Sequence, residues 1–313
     1  MSGELSIDQR VLYVYVALQN LAHGRPINEI AEEVGVSRFA AARMVRRARE
    51  LGLVEVRAAA NDPVDVELSH RLAQAFGLNS ALVVITPSSR EEDVREMVAE
   101  VAARFLTEHT QQDDVIGLTP GRTLVALSRK VTELPWVDVV QLTGVGAPRL
   151  EDGVEAIVNL GRAGNGATYP LYAPILMDAA EAALVARHPA NQRTLKRFDG
   201  LTKAFLTIGG WPDSSLLARQ AAEFGVIDEL LARGVVAEIG TVLLDGQGRT
   251  VDALKERVIG ISEAQLRAVP MRVAVGGGPG KEDALAPVLR SGIPNVVITD
   301  MRSAERALAQ AAR

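Results

Sequence analysis

The chain has 313 residues, 48% of them apolar, enough for one small and one larger packed domain. Its 34 Lys and Arg face 39 Asp and Glu, so net charge gives no hint of DNA and any polyanion must be met by a local basic face. With no cysteine, disulfides, thiolate metal sites and cysteine nucleophiles are excluded, and a reducing cytoplasmic setting is expected. His23, His70, His109 and His188 lie far apart without paired-ligand spacing, so no metal is expected. The segment MSGELSIDQR is charged and lacks the apolar core of a signal peptide, and no apolar run approaches the roughly 20 residues of a spanning helix, so no membrane association is expected.

From Ile7 to Ala22, the apolar residues Val11, Leu12, Tyr15, Val16, Leu18 and Ala22 recur at three- and four-residue steps, the pattern of one buried helical stripe. Gly24 and Pro26 end it. A second helix is predicted over Ile27 to Val34, Gly35 permits a tight left-handed turn, and Ser37 caps a third helix to Leu51. Ile30, Val34, Val36, Ala41 and Met44 supply the contacts of a helix-turn-helix, and small Ala31 lets the two helices approach. Arg38, Arg43, Arg46, Arg47 and Arg49 fall on the third helix, whereas Glu29, Glu32 and Glu33 fall on the second, so only the third suits phosphate. Ser37, Arg38, Phe39 and Arg43 are expected toward the groove of double-stranded operator DNA, Arg38 and Arg43 in the bidentate geometry that reads guanine, and Arg46 and Arg47 on the backbone. The competing readings of this segment are an arginine-rich solvated face and a partner-binding helical module.

The run GLVEVRAAANDPVD reads as a short strand or wing and then a loop, which places a helix-turn-helix domain at 1–58 and a second domain at 59–313. VELSHRLAQAFGL follows as a helix docking through Val66, Leu68, Leu72 and Phe76. From Ala81 onward the apolar runs ALVVI, DVIGL, DVVQL, KAFLTI, TVLLD, MRVAVG and NVVIT alternate with helical stretches, the signature of an α/β fold with a helix-wrapped parallel sheet. Several runs end in glycine and hydroxyl residues, where open parallel sheets bind ligands. Gly276 to Lys281 reads GGGPGK, one residue short of a P-loop, and no GxGxxG follows a strand, so neither ATP nor NAD nor any other cofactor is expected. No catalytic constellation is recognisable, and the chain is read as a non-enzyme. The alternative is a sugar-phosphate isomerase-like enzyme with an N-terminal helical appendage.

The ordered strings VIGLTPGRTL, VVQLTGVG, VVAEIGTVLLDGQG, ERVIGIS, VAVGGGPGKEDAL and NVVITD, within a match from Ser6 to Leu308, resemble the SorC family of sugar-binding transcriptional regulators. The resemblance implies a Rossmann-like effector domain related to sugar-phosphate isomerases, a homo-oligomer (dimer or tetramer), and operator affinity controlled by a sugar or phosphosugar. It puts the phosphate-side loop at Thr119, Gly121, Arg122 and Thr123, closed by Gly277, Gly278 and Lys281. Gln141, Thr143 and Gly144 fall on the neighbouring strand end, and Glu238 and Asp245 stand where members place acids near sugar hydroxyls, though either also suits a loop cap. Thr119 and Pro120 depart from the small residue or tryptophan of many members. Thr143 replaces a basic residue found in some, so no Schiff base forms there, and an unphosphorylated sugar or polyol stays open beside a phosphorylated one.

Overall fold

The computed structural model describes residues 5–56, 62–146 and 150–312. The chain divides into two compact units, Met1–Asp62 and Pro63–Arg313. The boundary expected after residue 58 falls among residues 57–61, outside the described residues.

The first unit is three helices: α1 (Ile7–Leu21), α2 (Ile27–Glu33) and α3 (Arg38–Glu50). Ser6 opens α1 in a capping box with Gln9, and the Ser37 hydroxyl accepts the Ala40 N–H at 3.2 Å to open α3. Gly35 makes the turn between α2 and α3 at φ +70°, a conformation that costs glycine nothing. Val16, Ile30, Ala31 and Ala41 form the core, with Leu12, Val34, Val36 and Met44 packed around them. Glu33 ties the helices together at the rim, accepting from the Tyr15 hydroxyl and pairing with Arg25 at 2.6 Å. Because Ile30 is fully buried in so small a core, Ile30→Ala should cost about 2–5 kcal/mol. Thermal unfolding followed by circular dichroism should show this unit melting ahead of the larger one.

Two expectations for this unit are corrected. The stripe on α1 is not one buried face: Val16 is buried and Leu12 half-buried, but Val11 is 65% exposed and Leu18 41%. Apolar residues run around most of this helix, so three- and four-residue spacing alone could not say which of them face inward. Residues 52–56 form a turn and bends rather than a strand or wing, and the remainder of that expected element, through Asn61, lies outside the described residues.

The second unit opens with α4 (Val66–Phe76), β1 (Ser80–Val84), α5 (Glu91–His109), β2 (Val115–Leu118) and α6 (Arg122–Lys130). It continues through β3 (Val137–Gln141), α7 (Leu150–Gly164), β4 (Asn165–Tyr169), α8 (Ala179–Arg187), α9 (Pro189–Leu195) and β5 (Lys203–Gly210). Next come α10 (Leu216–Glu223), α11 (Ile227–Ala232), β6 (Val235–Ile239), β7 (Val242–Asp245) and α12 (Glu263–Ala268). The last elements are β8 (Met271–Val275), α13 (Glu282–Arg290), β9 (Val296–Asp300) and α14 (Met301–Ala311).

Seven strands pair in parallel in the order β1-β9-β8-β5-β2-β3-β4. Successive residues of β5 serve opposite faces: Phe205 belongs to the core that also holds Leu106 of α5, Leu127 of α6 and Leu160 of α7, while Leu206 belongs to the core that holds Leu72 of α4, Leu285 of α13 and Ala304 of α14. Burial on both faces is why these strands read as unbroken apolar runs. Among the described residues no helix is long and apolar enough to cross a membrane.

The sheet is not wholly parallel. β5 outlasts its parallel neighbours and turns to pair antiparallel with β6, which pairs antiparallel with β7. TVLLD, expected as a parallel strand, is therefore the second arm of a hairpin. Only Gly240, at φ +65°, and Thr241 separate paired Ile239 and Val242, and so short a link admits no parallel crossover. The strands β4 and β6 were not foreseen. NGATY of β4 is a largely exposed edge strand with polar residues and no apolar run.

Candidate functional site

A cleft of about 380 Å³ opens at the carboxyl edge of the parallel strands, where β2, β3, β5 and β8 end. One wall is the turn from β2 into α6. Thr119 is buried and clasps β5, its hydroxyl accepting the Thr207 N–H at 2.8 Å and lying 3.1 Å from the Thr207 hydroxyl. Gly121 lies so close that a Cβ on it would come 2.5 Å from Cγ2 of Thr207, so only glycine fits. No side chain caps α6, which leaves the N–H groups of its first turn free to meet an anion. Gly121→Ala should push this turn off β5 and weaken effector binding by about 1–3 kcal/mol without unfolding the unit, measurable by ligand titration of the variant.

The cations stand beside this turn. Arg122 pairs with Glu91 at 2.6 Å, and Arg95 reaches the same carboxylate at 3.6 Å. Lys281 precedes α13 and makes no ion pair among the described residues. Burial pulls its ammonium down to about 8, helped by Arg122 and Arg95 and opposed by Glu91 and Glu238. Facing it, Glu238 of β6 is buried, and burial raises its carboxyl to about 7 against the Trp211 indole N–H, which donates to it at 2.6 Å, the Ser215 hydroxyl and the charge of Lys281. Near neutral pH the cleft therefore holds an ammonium and a half-protonated acid.

Of the residues expected to bind effector, Thr119, Gly121, Arg122, Thr123, Thr143, Glu238, Gly277 and Lys281 line this cleft. Four others do not. Gln141 is buried as a brace, donating to the Thr143 carbonyl at 2.8 Å and accepting the Leu171 N–H at 3.1 Å. Gly144 packs on Pro174, whose carbonyl oxygen would lie 2.3 Å from a Cβ there. Gly278 donates its N–H to Asp300 at 2.8 Å. Asp245 caps the turn after β7, accepting the Gln247 and Arg249 N–H groups, each at 2.9 Å, and the Arg249 side chain at 2.8 Å.

Several lining residues were missed by sequence reasoning. Thr207 and Gly209 sit in FLTIGG, a strand end whose signal was noticed but not carried to single residues. Ser214, Ser215 and Arg219 follow it, where WPDSS announced a polar loop and a helix cap. Glu91 and Arg95 had no local signal, because only packing brings the start of α5 against α6.

In the first unit, α3 turns Ala41 and Ala48 inward and leaves Ser37, Arg38, Phe39, Arg43, Arg46 and Arg47 exposed. Phe39 is 78% exposed. Arg46 and Arg47 pair with Glu50 at 3.9 and 3.4 Å, whereas Arg38, Arg43 and Arg49 make no ion pair among the described residues. The Ser37 hydroxyl is already engaged in the helix cap.

A helix-wrapped parallel sheet with a polar cleft at its carboxyl edge is the architecture of a small-molecule-binding α/β domain. Residues 64–309 match the protein family described as "Putative sugar-binding domain", and the chain belongs to that family. The likeness to the SorC family read from the motifs is thereby borne out. The chain is 28% identical over 291 residues to the deoxyribonucleoside regulator of Bacillus subtilis (strain 168), covering 88% of this chain and 90% of that protein. It is 25% identical over 289 residues to the sorbitol operon regulator of Klebsiella pneumoniae, covering 88% and 91%. The crystal structure of the full-length sorbitol operon regulator SorC from Klebsiella pneumoniae superimposes with a TM-score of 0.70 at 24% identity, over 97% of this chain and all of that one.

Proposed function

We propose that the chain is a transcription regulator whose affinity for double-stranded operator DNA is set by a sugar or phosphosugar in the cleft. The observation that carries this reading is that the likeness to named regulators extends over both units, 88% of the chain for the deoxyribonucleoside regulator, rather than over the sugar-binding domain alone. In the first unit, Arg38 and Arg43, exposed on α3 and without an ion pair among the described residues, take the base edges, with Phe39 beside them and Arg46 and Arg47 on the phosphates. In the second, the uncapped start of α6 with Arg122 and Lys281 meets the anionic group of a phosphosugar, while Glu238 and Thr143 meet hydroxyls. The protein works in the cytoplasm as a homo-oligomer, so that two readers engage two half-sites, and it releases the sugar unchanged rather than as an enzyme's product.

The experiment has two stages. A thermal-shift screen of sugars, polyols and their phosphates identifies the effector, since a ligand selective for the folded state raises the melting temperature. Fluorescence anisotropy with DNA from upstream of the protein's own coding region then measures operator affinity with and without that effector. By linkage, a sugar that weakens DNA binding must itself be weakened by DNA to the same factor. Equal sugar affinities in the presence and absence of bound DNA would overturn the coupling, and turnover of the sugar would favour an enzyme.

A further inference from the structure

Glu91 lines the cleft with its carboxylate already on the cations that an anionic ligand would need. It is the first residue of α5, brought here because α5 packs along α6. A single oxygen, Oε1, accepts from Arg122 at 2.6 Å and lies 3.6 Å from Arg95, so it bridges two guanidinium groups. The charge of Glu91 also favours the ammonium form of Lys281, so one carboxylate acts on three cations of the cleft. A phosphate oxygen entering the cleft would seek the same donors.

The simpler roles for this acid are already filled. An acid in the first turn of a helix offsets the helix dipole, but Glu92 and Asp93 follow directly and do so without lining the cleft. Nor is Glu91 needed to hold Arg95, which Glu92 also reaches, at 3.9 Å. The side chains of Glu91 and Arg122 are 43 and 57% exposed, so their bond is open to water and readily exchanged.

We propose that Glu91 is a resident counter-ion of the cleft, holding Arg122 and Arg95 until the anionic group of an effector displaces it. The proposal rests on the reading of the α6 turn as an anion site. Two anions on the same donors repel one another, so a phosphate binds either with Glu91 swung out to solvent or against its charge. In both cases the affinity is lower than the cations and the uncapped helix start would otherwise give. A ligand bearing hydroxyls alone leaves Glu91 where it is. The residue therefore sets how the cleft ranks charged ligands against neutral ones.

Inorganic phosphate is the probe, exchanged against chloride at constant ionic strength and near neutral pH with the full-length protein. Its affinity is read from the rise in melting temperature with concentration. Glu91→Gln keeps the length and an acceptor oxygen but removes the charge, and it should bind phosphate about 5- to 20-fold more tightly than the unaltered protein. Glu92→Gln removes the same charge one residue away and outside the cleft, and it should stay within about twofold of the unaltered protein. Adding Lys281→Met to Glu91→Gln should cancel the gain, because the phosphate then loses the ammonium.

Equal phosphate affinity in Glu91→Gln and the unaltered protein overturns the proposal and leaves the anion site standing. Weaker binding in Glu91→Gln overturns it as well, since Glu91 would then be positioning Arg122 for the ligand rather than competing with it. A gain matched by Glu92→Gln belongs to net charge and has the same force. Phosphate binding indifferent to Lys281→Met, or absent from every one of these proteins, would sink the anion-site reading itself and the displacement with it.

Discussion

Lys281→Met should weaken binding of an anionic sugar by about 30- to 150-fold, roughly 2–3 kcal/mol, while operator affinity in the absence of effector stays unchanged. Among the described residues the ammonium makes no ion pair in the cleft, so a bound anion would be its first salt-bridge partner. Methionine keeps the bulk of the stem and removes the charge. Isothermal titration with the phosphosugar from the screen gives the loss in affinity, and anisotropy on operator DNA shows whether the response to it is gone. Equal affinity in the variant would mean that the anion lies elsewhere.

The same geometry gives a pH profile. Below about 7 Glu238 is neutral and Lys281 is charged, so the cleft favours an anion. As pH rises through about 7 the Glu238 carboxylate appears, and through about 8 the ammonium is lost. Both changes act in one direction, so affinity for an anionic sugar should fall between pH 7 and 9. In Glu238→Gln the fall should shift to the range of Lys281 alone, and in Lys281→Met to that of Glu238 alone. Titrations at half-unit intervals check this, and a flat profile in the unaltered protein would contradict it.

Arg43→Ala should cost about 1–3 kcal/mol on the preferred operator and relax the preference at one base pair, because a bidentate guanine contact separates right from wrong bases by that much. Arg43 is exposed and makes no ion pair among the described residues, so no internal bond is lost with it. Arg47→Ala differs in kind. It should weaken all sequences alike and reduce the salt dependence of binding by about one unit of slope. Competition with single-base operator variants and a salt series separate the two roles. Were Arg43→Ala to lower every sequence equally, it would belong with the phosphate contacts.

Local chemistry was the legible part. Ser37 as a cap, Gly35 as a turn and the apolar runs of the strands each act within a few residues, so order along the chain was enough to see them. The turn after β2 was legible for the same reason, and Gly121, Arg122 and Thr123 reach the cleft together because they are neighbours. What depends on pairing was not. TVLLD has the composition of a parallel strand, and only its two-residue link to VVAEI makes it antiparallel. Asp245 and Glu238 look alike as acids on neighbouring strands, yet one is taken up by Arg249 in a surface turn and the other is buried at the cleft. The two faces of α1 share one periodicity, and burial alone distinguishes them.

One register in the sheet has a consequence for inheritance. Gly209 of β5 lies directly opposite Glu238 of β6, and a Cβ at 209 would sit 2.6 Å from the Glu238 carboxylate. The acid keeps its place only because its neighbour across the ladder has no side chain. The acid can be replaced while the glycine stays, but the glycine cannot gain a side chain while the acid stays, so lineages that retain the acid should be locked to glycine opposite it. Those that have gained even a methyl group there should have exchanged the acid for something smaller, and with it their choice of sugar.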